Sequence, residues 1–178
     1  GYADDPAVHL SRVFEEVGRE YPDLKQEHLI VDIGAARLAD TPERFDVVVI
    51  PNLYGDILSD IAAQVAGSVG LAPSANIGAQ GAMFEAIHGS APDIAGQDLA
   101  NPSGLLLAAI QLLAHVGQGE VATRLQNAWL RTLEDGIHTA DLHRRDSPTD
   151  AVGTKAFGQA VADRLGERPA VLMPARLL

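Results

Sequence analysis

The sequence has no cysteine among its 178 residues. Disulfides and thiolate-bound zinc sites are therefore excluded. Aromatic residues make up only 4% of the chain, whereas hydrophobic residues make up 47%. A core can therefore be buried, and it must be built mainly from aliphatic side chains.

Two kinds of segment are also missing. No apolar run approaches the roughly 20 residues that a membrane-spanning helix needs. The N-terminus has no basic segment followed by an apolar stretch, so no signal peptide is visible. We therefore expect a cytoplasmic protein. Because residue 1 is glycine, the chain is expected to be a fragment, a processed product or an expressed segment.

Basic residues are scarce. The chain has 13 Lys and Arg against 24 Asp and Glu, a net charge of −11. This balance argues against nucleic acid and anionic membranes as partners. An acidic surface can simply maintain solubility, which is the more general role, or it can hold a divalent cation. Composition does not separate these two readings.

The residue pattern predicts strands that alternate with helices early in the chain and helices that dominate later. This pattern is typical of an α/β fold. No Gly-x-Gly-x-x-Gly motif links a strand to a helix, so a Rossmann site is not expected. The predicted helices cover residues 6–20, 54–69, 103–116, 120–135 and 149–165, the strands 28–32, 45–51 and 82–87, and the main loops 71–81, 88–102 and 136–148.

Two aspartates mark the start of the second predicted helix. Asp56 and Asp60 are four residues apart, so they share one helical face and repel each other. Neighbouring Ile57 and Leu58 suggest a helix that is largely covered by protein. A bound Mg²⁺ or Mn²⁺ would offset the repulsion. The alternative is a solvated first turn that the helix dipole favours.

Asp32 closes the first predicted strand. This is a position where α/β proteins often place functional side chains. The alternative is a cap for the following helix.

The loop that follows the third predicted strand is rich in small residues, from His88 to Gly96. Backbone N–H groups in such a loop can bind phosphate oxygens. Asp93 could accept hydrogen bonds from ribose hydroxyls, and its charge would repel a 2′-phosphate. The alternative is an ordinary surface turn, in which His88 is a structural hydrogen-bonding group.

Three consecutive motifs resemble one known family. The segment Asn52-Leu-Tyr-Gly-Asp-Ile-Leu-Ser-Asp60 is similar to the metal-binding segment of the β-decarboxylating dehydrogenases. Leu71-Ala-Pro-Ser-Ala-Asn-Ile-Gly78 is similar to the next loop of that family. His88-Gly-Ser-Ala-Pro-Asp-Ile-Ala-Gly96, continuing to Asn101-Pro102, resembles its cofactor loop. The resemblance covers about residues 11–166 and points to the isocitrate/isopropylmalate dehydrogenase family. Residues 1–166 would then be the C-terminal portion of such a domain, with a mixed sheet flanked by helices, and residues 167–178 a tail.

The resemblance implies a role for each matching residue. Asp56 and Asp60 would bind Mg²⁺ or Mn²⁺ on one subunit. Asp32 would come to that metal from a partner subunit, which implies a homodimer. Asp93-Ile94 stands where NADP-using members carry Lys-Tyr, so NAD is the expected cofactor. The positions that would line the dinucleotide are Glu85, His88, Gly89, Ser90, Ala91, Pro92, Asp93, Ile94 and Asn101.

The family's substrates include isocitrate, isopropylmalate, homoisocitrate and tartrate. Ala75-Asn76-Ile77-Gly78, Phe84-Glu85-Ala86 and the long C-terminal tail resemble isocitrate dehydrogenases, whereas Asp93-Ile94 by itself favours isopropylmalate or homoisocitrate. We therefore expect oxidative decarboxylation of isocitrate to 2-oxoglutarate with reduction of NAD. The alternatives are another of these substrates, or a non-catalytic paralogue that binds nucleotide or metal.

The family's catalytic Lys and Tyr have no counterpart in this chain. By alignment both would lie upstream of Gly1, and Tyr2, Tyr21 and Tyr54 do not match the family tyrosine. The metal and cofactor groups would then be present without the acid–base pair. We expect the 178-residue chain alone to have negligible turnover.

Overall fold

A computed structural model describes residues 6–144, 147 and 149–169 of the chain. The chain divides into two compact units, one ending at Val65 and the other beginning at Ala66. None of the helices in these described ranges is long and apolar enough to cross a membrane.

The first unit is helical. Helix α1 spans Pro6–Gly18, α2 spans Val31–Asp40 and α3 spans Asn52–Ala66, with a short 3-10 helix at Pro42–Arg44. Helices α1 and α3 confirm predicted helices, and α2 includes the short helix that the sequence predicts at residues 35–39. Gly67 ends α3 with a φ of 133°, a backbone conformation that glycine adopts more readily than other residues.

The strands predicted at residues 28–32 and 45–51 are wrong for this structure. The first segment runs into α2, and the second has no regular structure. Val47 is 80% exposed. A strand needs a hydrogen-bonded neighbour, and within the described residues neither segment has one. Leu58 on α3 is buried, but Ile57 is 51% exposed and most other residues of the helix are exposed, so the expectation of a largely covered helix is also wrong.

The second unit begins with a β-hairpin. Strand β1, Pro73–Ile77, pairs antiparallel with β2, Ala82–Ala86, and Ala75 lies opposite Phe84. The sequence predicts strand β2, but it predicts a loop over residues 71–81, where β1 forms. Pairing with β2 outweighs the low strand propensity of the Pro, Ser and Asn in this segment. The expected mixed sheet is absent from the described residues, where the sheet has only these two strands.

Three helices complete this unit; all three are predicted, although the last begins five residues later than the predicted residue 149. They are α4, Ser103–His115, α5, Gly119–Glu134, and α6, Thr154–Asp163. Helix α4 packs against both strands of the hairpin and against α5, which in turn packs against α6. The loop predicted after α5 is present in its described part, residues 136–144. Of the predicted tail, residues 170–178 lie outside the described ranges.

The core of the second unit lies among these helices. Phe157 and Val161 of α6 are fully or almost fully buried against Ala128 of α5. Partly buried side chains from α4 and α5, including Leu106, pack around them. Trp129 Nε1 donates a hydrogen bond of 2.9 Å to Ser103 Oγ, which ties α5 to the start of α4.

Candidate functional site

The candidate metal ligands lie in the first unit. Asp56 and Asp60 are both exposed on α3, one helical turn apart. Within the described residues, neither carboxylate accepts a hydrogen bond or forms an ion pair. Both therefore have lone pairs available for a hard cation, which prefers oxygen ligands.

Asp32 lies in the first turn of α2 and is also exposed. Its Oδ1 accepts a hydrogen bond of 2.6 Å from the backbone N–H of Ile33. The described residues contain no group of three or more acids or histidines arranged to hold a metal. The three aspartates therefore do not form a complete site within one described chain, and a shared site between subunits stays a prediction.

The candidate cofactor loop follows β2 in the second unit. Residues 88–93 are all exposed. The backbone N–H groups of Gly89, Ser90 and Ala91 donate no hydrogen bond to any described residue. Such unpaired, exposed N–H groups can bind an anion such as a phosphate.

The shape of this loop comes from its backbone. Ala91 has a left-handed conformation with a φ of 42°, which is uncommon for a residue with a side chain. It leads into a short 3-10 helix, Pro92–Ile94, closed by a hydrogen bond of 3.1 Å from Ile94 N–H to Ala91 O. The carboxylate of Asp93 projects from this turn into solvent, since the residue is exposed.

Two predicted cofactor residues already have partners within the protein. His88 Nδ1 lies 2.9 Å from the carbonyl oxygen of Gly89, so this nitrogen carries the proton. Glu85 on β2 accepts a hydrogen bond of 3.4 Å from Asn76 Nδ2 across the hairpin. Both residues are exposed, so these contacts leave their side chains accessible to a ligand.

Asn101 differs from the other predicted cofactor residues because it is buried, with 8% of its surface exposed. Its Oδ1 accepts a hydrogen bond of 2.9 Å from Ser103 N–H at the start of α4. Its Nδ2 donates one of 2.9 Å to Asp141 Oδ2. The amide oxygen of Asn101 therefore binds the start of α4, and its amide nitrogen binds the loop that follows α5.

The carboxylate of Asp141 collects donors from three separate segments. Besides Asn101, it accepts hydrogen bonds of 2.5 Å from Ser68 Oγ and 2.6 Å from Thr139 Oγ1. Ser68, Asn101 and Thr139 are buried, whereas Asp141 as a residue is exposed. We refer to these four residues as the Asp141 cluster.

Two opposed effects act on the pKa of Asp141. Partial burial raises it, but the hydrogen bonds from Ser68, Thr139 and Asn101 together outweigh burial and lower the pKa below the usual 3.8. The carboxylate is therefore ionised at neutral pH. Sequence reasoning missed this cluster. The closely spaced Thr139 and Asp141, in a loop that also holds apolar residues, were the available signal.

Comparison with solved structures gives the class of the fold. An isocitrate dehydrogenase from Methylococcus capsulatus superposes with a TM-score of 0.80 at 42% sequence identity, covering 86% of this chain and 44% of that one. The fold is thus that of the α/β dehydrogenases represented by this structure.

Sequence comparison gives the family. The family model for isocitrate/isopropylmalate dehydrogenase matches residues 5–161. An isocitrate dehydrogenase (NADP) of Rickettsia bellii is 62% identical over 164 residues, covering 92% of this chain and 34% of that protein. A 3-isopropylmalate dehydrogenase of Salinibacter ruber is 46% identical over 155 residues, covering 87% of this chain and 42% of that protein. The chain belongs to the isocitrate/isopropylmalate dehydrogenase family, and it spans about a third of the Rickettsia relative's length.

Proposed function

We propose that this chain is the C-terminal part of an NAD-dependent, metal-requiring isocitrate dehydrogenase. The enzyme would oxidise and decarboxylate isocitrate to 2-oxoglutarate. Membership of the family and the 62% identity to a protein named isocitrate dehydrogenase support the substrate. The observation that carries the cofactor assignment is the exposed loop of residues 88–93, with its unpaired N–H groups and its single acid.

The preference for NAD rests on Asp93. A carboxylate near the adenosine ribose can accept hydrogen bonds from both hydroxyl groups of NAD. The same carboxylate repels the 2′-phosphate of NADP, because both groups are negatively charged. The Rickettsia relative is named as NADP-dependent. We therefore infer the preference for NAD over NADP from this loop and not from the names of relatives.

The metal assignment rests on the chemistry of the three exposed aspartates. Asp56 and Asp60 on α3 would hold Mg²⁺ or Mn²⁺ together with Asp32 from a second copy of the chain. When bound, the cation would supply Lewis-acid stabilisation of the negative charge that develops as carbon dioxide leaves. The role of this chain's residues is to bind the cation and orient it. The cytoplasmic location stays a prediction.

The alternative candidate for the substrate is 3-isopropylmalate. The 46% identity to the Salinibacter enzyme favours it as the alternative. Both substrates are 2-hydroxy acids that lose a β-carboxylate, so the metal and cofactor groups of this chain would serve either. Substrate screening of a protein that includes the segments present in the longer relatives would distinguish them. Turnover of isopropylmalate but not isocitrate would overturn our choice.

The cofactor proposal is tested by calorimetric titration of the chain with NAD⁺ and NADP⁺, with and without Mn²⁺. We expect tighter binding of NAD⁺. Asp93→Lys removes the repulsion and adds a cation beside the ribose, so it should weaken NAD⁺ binding and strengthen NADP⁺ binding. Equal or tighter binding of NADP⁺ by the unaltered chain would overturn the role of Asp93.

Asp163→Lys is the matched control because it makes the same change of charge. Asp163 is the last residue of the 10-residue helix α6. It therefore lies about 14 Å along the helix axis from Thr154, the end of α6 that contacts the candidate cofactor loop. We expect this variant to leave the preference between the two cofactors unchanged. If both variants shift the preference equally, net charge and not the loop sets it.

A further inference from the structure

The end of the candidate cofactor loop is attached to the N-terminal end of α6. Asp98 Oδ1 accepts a hydrogen bond of 2.9 Å from Lys155 N–H. Its carbonyl oxygen accepts one of 3.1 Å from Thr154 N–H. Thr154 Oγ1 adds a bond of 2.5 Å to the carbonyl oxygen of Ala100. The loop thus caps two of the first N–H groups of a helix that begins 56 residues later, at Thr154.

The attachment restricts which residue can stand at position 98 and at position 153. Asp98 has a left-handed backbone with a φ of 58°, which Asp and Asn tolerate better than other residues with side chains. Gly153 lies so close that a Cβ atom there would be 2.6 Å from the carbonyl oxygen of Asp98. A backbone oxygen cannot easily move aside, so a residue without a side chain is needed at position 153.

A second set of bonds continues from the attachment to Asp93. Gln97 N–H donates a hydrogen bond of 3.1 Å to the carbonyl oxygen of Ile94. Gln97 Nε2 donates one of 2.7 Å to the carbonyl oxygen of Asp93. The backbone of Asp93 is therefore linked through Gln97 to Asp98, and through Asp98 to α6.

We propose that Asp98 is a positioning residue that holds the Asp93 turn in place for the dinucleotide. It does so by binding the N-terminus of α6 and would not itself touch the cofactor. This inference rests on the proposed cofactor role of the loop. The physical reason is that an exposed loop binds a ligand more tightly when its binding conformation is already formed, since less conformational freedom is lost on binding.

Two substitutions at position 98 separate the side-chain bond from the backbone requirement. Asp98→Gly keeps the left-handed conformation accessible but removes the acceptor for Lys155 N–H. Asp98→Asn keeps both an amide oxygen and tolerance of the conformation. Gly153→Ala disturbs the same attachment from the side of α6, without altering the loop sequence.

The test measures two properties of each 178-residue variant, well below its unfolding temperature. Hydrogen exchange reports on the amide of Lys155 and on residues 93–97. Titration with NAD⁺ reports the dissociation constant. We expect Asp98→Gly and Gly153→Ala to accelerate exchange and to raise the Kd by roughly two- to tenfold, the range for one intramolecular hydrogen bond. Asp98→Asn should stay near the unaltered chain.

The outcomes separate this inference from the function on which it rests. If the unaltered chain binds NAD⁺ and Asp98→Gly binds it equally well despite faster exchange, Asp98 is only structural and the inference is wrong, while the cofactor role stands. If the unaltered chain binds neither NAD⁺ nor NADP⁺, both are overturned. Equal losses in Asp98→Gly and Asp98→Asn would also contradict the hydrogen-bond argument.

Discussion

Replacing Asp141 tests the polar cluster that joins three segments of the second unit. In Asp141→Ala, the hydroxyl groups of Ser68 and Thr139 and the amide of Asn101 lose their shared acceptor. All three donors belong to buried residues, and a buried donor without a partner is costly. The substitution should therefore destabilise the second unit.

The expected change in the free energy of unfolding depends on the number of hydrogen bonds lost and on the exposure of Asp141. A hydrogen bond to a charged group contributes about 1.5–3 kcal/mol when water is excluded. Asp141 is an exposed residue, so water can replace part of the hydrogen bonding that is lost. We therefore expect a loss of about 2–4 kcal/mol in the free energy of unfolding for Asp141→Ala. Asp141→Asn keeps an acceptor oxygen, and the Thr139 hydroxyl can accept from its amide, so about 1 kcal/mol is expected.

The pH dependence has a definite sign. The pKa of Asp141 in the folded chain is lower than its ordinary value of 3.8, which applies to the unfolded chain. The resulting stabilisation is present above 3.8 and is lost as the pH falls through the folded-state pKa. The unaltered chain should therefore lose more stability on acidification than Asp141→Asn does.

Trp129 provides the assay, because it is the only tryptophan of the chain and lies in the packed helices of the second unit. Urea unfolding followed by its fluorescence gives the stability of each variant at neutral and acid pH. Asp150→Ala is the control, since Asp150 is exposed and makes no hydrogen bond to a described residue. A loss below about 0.5 kcal/mol for Asp141→Ala, the range of an ordinary surface substitution, would refute the reasoning.

Three further predictions concern packing and the metal. Phe157→Ala removes a fully buried ring and should cost about 3–5 kcal/mol of unfolding free energy by the same assay; a loss under about 1 kcal/mol would contradict the assigned core. Gly104→Ala places a Cβ atom 3.1 Å from the carbonyl oxygen of Gly70, so the free energy of unfolding should fall by about 1–3 kcal/mol. An unchanged midpoint of urea unfolding would show that α4 can shift to make room. Asp32→Ala and Asp60→Ala should each abolish Mn²⁺ binding if the site is shared between two copies. Mixing the two variants in equal amounts should restore one site in each hybrid dimer, or about a quarter of all sites; no recovery on mixing would rule out sharing.

The helices of the second unit could be predicted because their signals are local. Apolar residues at helical spacing place Val121, Leu125, Trp129 and Leu133 on one face of α5, and α5 forms over almost the predicted residues. Local signals of this kind could not decide whether residues 45–51 form a strand. Its β-branched run indicates a preference for extended structure, but a strand exists only where a neighbour supplies hydrogen bonds.

The sequence names the residues of the candidate site, but it does not show which contacts support them. The residue types and spacing of Asp56 and Asp60, and of the loop from His88 to Ile94, indicated which groups could bind ligands. The partners of Asn101 and Asp98 could not be read from the chain, because they lie 40 and 57 residues away. Hydrogen bonds of such separation depend on how the helices pack.

The sequence by itself determined the family, the positions of the late helices and the groups available to a metal and a dinucleotide, since these depend on residue identity and short-range spacing. Only the tertiary structure decided that Asn101 is buried beside Asp141, that residues 73–77 pair as a strand, and that α6 is hydrogen-bonded to the end of the candidate cofactor loop. The physical reason is that burial, strand pairing and long-range hydrogen bonds arise between segments that the chain brings together only when it folds.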